Sequence, residues 1–262
     1  MAMAAASGAD SGSAFIDTRY NRQELMPQVG AEGQRRIAEA RVAVIGAGGV
    51  KAPLLYYLAA AGIGHLRIID FDDVELSNLN RQILFTTDDI GRNKAKCAKR
   101  RLEALNDEIE IEAVPEKVDR RTIGRLLADS HVIVEGGDSL AGRLLVNTHC
   151  LAEGVPMVHA SAQYNYGYVL TVLPGRSSCF SCVFPDLPQG HGGSVPVIGV
   201  ATGIAGSLGA AEVIKLVLRT GEPITDGVLS FTGFQGGFRF VPAPRRPDCM
   251  GCAADAEASA AG

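Results

Sequence analysis

The segment Arg41-Val-Ala-Val-Ile45 is a short apolar run rich in β-branched residues that stops abruptly at Gly46-Ala-Gly48-Gly49. Such a run reads as a strand buried on both faces, the signature of a parallel sheet. A small-residue helix follows, Pro53 to Ala61, and then a second strand, His65 to Ile69, which ends at Asp70. Together they make one βαβ unit, whose crossover is expected to be right-handed. The glycine turn opens the helix directly after the strand, where free backbone N–H groups and the positive helix end receive phosphates.

The alternation continues with a helix at Lys94 to Leu105, a strand at Glu110 to Val114, a helix near Arg120 to Ala128 and a strand at His131 to Val134. This predicts an α/β fold: a Rossmann-like, mostly parallel sheet flanked by helices. From Pro156 the pattern changes to strand-like runs such as Gly167 to Leu173, a long small-residue helix from Ile198 to Leu218, and a strand pair at Gly227 to Phe231 and Phe234 to Val241. The C-terminal strands are therefore expected to be mixed or antiparallel. No Pro- or Gly-rich hinge parts the halves, so a single domain over residues 15–252 is expected, with Ala/Ser/Gly-rich mobile tails at 1–14 and 253–262.

With 25 Lys+Arg against 29 Asp+Glu the net charge is -4, which argues against nucleic acid or anionic lipid as a partner. The run Gly192 to Ala211 carries no charge, but its six glycines suit a tightly packed core helix better than a membrane span. Gly199, Gly203, Gly206 and Ala210 share one face of that helix, placed against the sheet in preference to a second subunit. The N-terminus lacks the basic flank and apolar run of a signal peptide, so the cysteines are expected in a reducing compartment, by default the cytoplasm.

In the loop Gly46-Ala-Gly48-Gly49-Val50-Lys51, a lysine replaces the third glycine of the dinucleotide fingerprint. A lysine in a first helical turn is usually solvated, so Lys51 is expected to snorkel outward; the alternative is an ammonium reaching a phosphate oxygen. Asp70, at the end of the second strand, stands where a carboxylate accepts ribose hydroxyls. That much fits NAD as well as ATP. The stretch Asp70 to Gln82 separates them, because Asn78, Arg81 and, at the next helix start, Lys94 add an amide and two cations. A triphosphate cleaved at its α-phosphorus needs such fixed donors, and a dinucleotide does not. Asp138, beyond the fourth strand at the same sheet edge, is a natural magnesium ligand.

Taken in order, Tyr20-Asn-Arg22-Gln23, the glycine loop, Asp70 through Arg81-Gln82, Gly91-x-x-Lys94, Gly137-Asp138 and two CxxC pairs span residues 19 to 252. In these motifs the chain resembles the ThiF/MoeB/HesA family, bacterial relatives of ubiquitin-activating enzymes. The resemblance implies an ATP-dependent adenylyltransferase that activates the C-terminal carboxylate of a ubiquitin-like sulfur-carrier protein ending in Gly-Gly and releases pyrophosphate. It implies that Asp70 holds the ribose, that Gly46, Gly48, Gly49, Asn78, Arg81 and Lys94 cradle the phosphates, and that Asp138 holds magnesium. It also implies a homodimer in which Arg22 reaches the partner's ATP site.

Cys179-Phe-Ser-Cys182 and Cys249-Met-Gly-Cys252 offer four thiolates, a set suited to a structural zinc knuckle. Redox chemistry is the rival, but a thioredoxin-type CxxC sits at a helix start after a strand, whereas these pairs are expected in loops among Pro, Ser and Gly. Cys97 and Cys150 read as small core residues within helices. Several relatives carry a further cysteine in the loop after the first CxxC. Here Val183 to Pro196 contains His191 and Ser194 but no cysteine, so the chemistry is expected to stop at the acyl-adenylate. Competing readings are adenylation of a peptide or small-molecule carboxylate, a non-catalytic binding partner with Lys51 blocking the pocket, and, last, an NAD-linked reductase.

Overall fold

A computed structural model describes residues 18–137, 139–186, 195–249 and 251–252. The expected tails, Asp138, His191 and Ser194 lie outside the described residues. Helices α1 (Asn21–Glu24) and α2 (Gly30–Glu39) precede β1 (Arg41–Ile45); α3 (Lys51–Ala61), β2 (His65–Ile69), α4 (Lys94–Leu105) and β3 (Glu110–Val114) follow. Next come α5 (Ile123–Leu126), β4 (Val132–Glu135), α6 (Leu140–Glu153), β5 (Met157–Gln163), β6 (Tyr166–Val172), α7 (Phe180–Val183), α8 (Gly199–Leu218), β7 (Gly227–Thr232) and β8 (Gly237–Pro242).

All eight strands form one sheet in the order β3-β2-β1-β4-β5-β6-β7-β8. The first five are parallel, with Val42 opposite both Leu66 and Val132, and β5 through β8 run antiparallel. Strand β1 shows why the parallel half is buried: Val42 and Val44 enter the core with Leu54, Leu58 and Val213, while Ala43 faces the opposite core with Ile133, Cys150 and Phe180. Side-chain alternation thus fills two layers from one five-residue strand. The chain leaves β1 in one direction across the sheet and β4 in the other, opening a crevice at their carboxyl ends.

Several boundaries move from the sequence expectation. The helix placed at 120–128 is a single turn, since Arg120 and Arg121 stay exposed and only Ile123, Leu126 and Leu127 reach the core. Strand β4 runs one residue further, to Glu135, and β8 starts at Gly237 because Gly236 adopts a left-handed turn with φ of 65°. Helix α8 is long and apolar enough to cross a membrane. It packs instead on α3 and on β5 and β6. Along its small residues, Gly199 lies against the Asn80 carbonyl and Gly206 against the Val50 carbonyl and Pro53, while Gly209 reaches Ala160 of β5.

Candidate active site

Four features converge at the carboxyl ends of β1 and β2. Gly46 takes φ of 89°, open to glycine at no steric cost, and its N–H donates to the Ile69 carbonyl at 2.7 Å. That bond ties the phosphate loop to the end of β2. Asp70, the next residue along, accepts from the Ala47 N–H at 2.7 Å and from its own turn at Asp72 N–H at 2.9 Å. Burial pushes its carboxyl above the ordinary range, against the pull of those two N–H groups and of the Lys94 ammonium. Each carboxylate oxygen keeps a lone pair for a ligand hydroxyl.

Asn93 caps α4, accepting from the Lys96 N–H while its amide donates to the carbonyls of Asp70 and Asp72. This sets Lys94 at the helix start, buried, with Nζ 3.2 Å from the Asp72 carboxylate. Arg81 leaves a tight turn and lies over the loop: a Cβ built on Gly49 would be 3.3 Å from Arg81 Cγ and 3.1 Å from Thr202 of α8. Glycine there permits this close approach. The Arg81 guanidinium donates to the Ser77 carbonyl and the Asn80 side chain. Asn78 is buried, with Oδ1 accepting from the Glu75 N–H and so bracing the turn that carries Arg81. Gly46, Gly48, Gly49, Asp70, Asn78, Arg81 and Lys94 are therefore gathered around one crevice.

Arg22 is not among them. It is exposed on α1, whose neighbour Gln23 donates to the Ala61 carbonyl at the far end of α3. Eleven helical residues put that end about 16 Å from the phosphate loop. Lys51 overturns the expectation of a solvated side chain: it is 3% exposed, and its Nζ lies 3.4 Å from the Ala160 carbonyl of β5. It points beneath the turn after β4, where a Cβ on Gly136 would collide with both groups. The reason is that α3 packs its first turn directly onto the strand ends, leaving no path to solvent.

Lys51 enters a buried polar group that sequence reasoning missed. Glu135 and His159, 2% and 0% exposed, meet at 2.8 Å between Oε2 and Nδ1. Burial alone would raise the Glu135 carboxyl, but the His159 hydrogen bond, the Lys51 ammonium and the Gly137 N–H bring it below its ordinary range. Burial lowers His159, which is neutral at pH 7. The available signal was a glutamate closing the otherwise apolar run Val132 to Val134.

The first CxxC pair does not lie in a loop as expected, since Cys179 caps the single turn α7 and Cys182 lies within it. The four cysteines of the two pairs are buried and unbridged, and their sulfurs lie within 4.8 Å of one another. The separations Cys179–Cys182, Cys179–Cys249 and Cys182–Cys252 are 3.9, 3.7 and 3.5 Å. A tetrahedron with metal–sulfur bonds of about 2.3 Å has edges of about 3.8 Å, so the donor set fits a zinc ion. Between the knuckle and the crevice, Phe180 packs on the His159 ring at 4.9 Å.

Alongside Arg81 opens a groove of about 490 Å³ lined by Asn80, Tyr164, Asn165, Ile198 and Phe234. Tyr164 and Tyr166 stack at its side, and Phe234 and Tyr164 of its lining are largely exposed. The crevice at Arg81 thus borders an apolar surface.

A glycine loop on a helix start, an acidic residue ending β2 and cations above them, all at the point where strand order reverses, define a nucleotide-binding α/β protein. The chain belongs to the ThiF family, which it matches over residues 20–251. It is 38% identical over 240 residues to the SAMP-activating enzyme E1 of Haloferax volcanii, covering 89% of this chain and 88% of that one. It is also 38% identical to the sulfur carrier protein adenylyltransferase of Thermus thermophilus (89% and 90%) and 36% identical to the sulfur carrier protein ThiS adenylyltransferase of Escherichia coli (89% and 94%). Among solved structures, E. coli MccB with ATP superposes with a TM-score of 0.81 at 24% identity, over 92% of this chain and 75% of that one, a likeness of fold.

Proposed function

We propose that this chain is an ATP-dependent adenylyltransferase that activates the C-terminal carboxylate of a ubiquitin-like sulfur-carrier protein. The observation that carries this reading is the convergence of the glycine loop, Asp70, Arg81 and Lys94 at one crevice in a chain 38% identical to a sulfur carrier protein adenylyltransferase. A carboxylate oxygen of the carrier attacks the α-phosphorus of ATP, the bond from that phosphorus to the bridging oxygen breaks, and pyrophosphate leaves with the electron pair. Both reactants are anions, so charge neutralisation and in-line placement supply most of the rate, and no side-chain base is needed. Arg81 and Lys94 meet the developing charge, Asp70 holds the ribose, and the backbone of Gly46, Gly48 and Gly49 receives the phosphates.

Asp138 holds magnesium in this reading, and the ion supplies neutralisation of the triphosphate when bound. Arg22, remote from its own crevice, serves the site of a second copy in a homodimer. The apolar surface around Phe234 and Tyr164 supports a protein as the acyl donor, because a small acid needs no such area. The Cys179, Cys182, Cys249 and Cys252 set holds a structural zinc, which pins the chain's end to α7 in a reducing compartment such as the cytoplasm.

Isotope exchange between ATP and pyrophosphate tests this. Exchange is expected only with a carrier ending in Gly-Gly, and Lys94→Ala should lower it ~10²–10³-fold, the usual cost of one fixed charge donor. Exchange with a peptide or small acid instead selects the competing substrate class, and undetectable ATP binding overturns adenylation. Elemental analysis should find about one zinc per chain, whereas a metal-free protein with four freely reactive thiols ends that assignment.

A further inference from the structure

The buried polar group beneath the phosphate loop closes on itself. Arg143 of α6 donates from Nε to the Gly137 carbonyl at 2.7 Å and from Nη1 to the Tyr168 hydroxyl at 3.5 Å. Tyr168 lies 3.3 Å from His159 Nε2, His159 Nδ1 lies 2.8 Å from Glu135 Oε2, and Glu135 Oε1 accepts the Gly137 N–H at 2.7 Å. One assignment of protons satisfies every member. Arginine only donates, so the tyrosine oxygen accepts from it and passes its own O–H to Nε2. That leaves Nδ1–H for an ionised Glu135, in keeping with a neutral His159. The ring therefore runs from the N–H of Gly137 through four side chains back to its carbonyl.

We propose that Glu135, His159, Tyr168 and Arg143 are positioning residues for the turn that follows β4, and that Lys51 is the resident counter-charge locking Glu135 into that role. The proposal rests on the adenylation reading, in which Asp138 directly follows Gly137. Both backbone groups of Gly137 are held, its N–H by Glu135 of β4 and its carbonyl by Arg143 of α6, with His159 of β5 and Tyr168 of β6 linking the two, and this fixes the backbone plane at Gly137. A glycine is the residue least able to hold such a plane unaided. Lys51 supplies the second half of the device. Standing where the dinucleotide fingerprint has a glycine, it sends its ammonium under Gly136 to the Ala160 carbonyl, joining the first turn of the phosphate-binding helix to the ends of β4 and β5. Loop and turn, the two walls of the crevice, are thereby coupled through buried charge.

Tyr168→Phe opens the ring at a single hydroxyl while keeping the ring stack on His159 and Phe184. In the unmutated protein the Gly137 amide should be protected from hydrogen exchange without nucleotide or metal, and in the variant it should exchange ~5-fold faster, the worth of one hydrogen bond. With ATP, magnesium and a Gly-Gly carrier, kcat for pyrophosphate exchange should fall ~10-fold while KM for ATP stays within about 2-fold. His159→Gln, which keeps an amide donor toward Glu135, should recover part of the loss seen in His159→Phe. Unchanged kcat and unchanged Gly137 protection in Tyr168→Phe overturn this proposal alone. So does a fall in kcat that tracks a matching rise in KM and loss of thermal stability, which marks general loosening. Absence of exchange in the unmutated chain with every carboxylate overturns the adenylation reading as well.

Discussion

Two carboxylates stand at the carboxyl ends of β2 and β4, the strands on either side of β1, and are treated in opposite ways. Asp70 closes β2 with 8% exposure, two backbone N–H donors and a cation at longer range, and burial wins: its carboxyl is held above the ordinary range. Glu135 closes β4 with 2% exposure, yet His159, Lys51 and Gly137 surround it closely enough to hold it below. The difference separates two jobs. Glu135 is paired completely inside the protein and acts as structure, whereas Asp70 retains unused acceptor capacity and an incompletely compensated charge facing the crevice. Asp70 has room to be completed by a ligand, and nothing remains to be completed at Glu135.

The largest expected effect breaks the Glu135 side. Lys51→Met keeps the volume and strands a buried carboxylate, which should cost about 3 kcal/mol in urea denaturation. If Asp70→Asn costs more stability than Lys51→Met, the two sites have been assigned the wrong way round. Next in size, Asp70→Asn should leave folding nearly intact but weaken ATP binding by about 2 kcal/mol, roughly 30-fold by calorimetry, through loss of a charged hydrogen-bond acceptor. An affinity within a factor of two of the original would show that the ribose does not rest there.

The smallest effect is one of sign. An acid held below its ordinary value, 4.5 for Glu135, adds stability above that value and loses it as pH falls through the folded pKa. Glu135→Gln should therefore cost more at pH 7 than at about pH 4. Asp70 is the reverse: its share is greatest below the ordinary 3.8 and declines as pH rises through its folded pKa. Asp70→Asn should accordingly gain on the unmutated chain over that rise, and parallel pH curves for the two variants would erase the distinction.

Much of this edge was legible in the residues. The spans Arg41–Ile45, His65–Ile69, Lys94–Leu105 and Glu110–Val114 coincide with β1, β2, α4 and β3, because apolar runs ended by Gly or by a cap residue such as Asn93 carry their own punctuation. Asp70, Arg81 and Lys94 were legible as candidates because a glycine turn on a helix start imposes recurrent spacing on the residues that would serve it. Glu135, His159, Tyr168 and Arg143 were not, since they come from four separate elements and no local pattern links them. Lys51 was misplaced for a related cause: exposure of a first-turn lysine is a rule for a helix whose first turn has a free flank, and the first turn of α3 has none, wedged between the strand ends and α8.

The parallel sheet, the glycine turn on a helix start, the acidic residue after β2 and the two thiol pairs were all readable in the chain, because each depends on neighbours within a few residues or on recurrent spacing. Packing alone places Lys51 inside, closes thiols 70 residues apart to within 3.7 Å, holds Arg22 away from its own crevice and sets an apolar surface beside Arg81. Those outcomes depend on which segments the sheet order brings side by side, and burial, which sets the charge state of a side chain, exists only once that packing is complete.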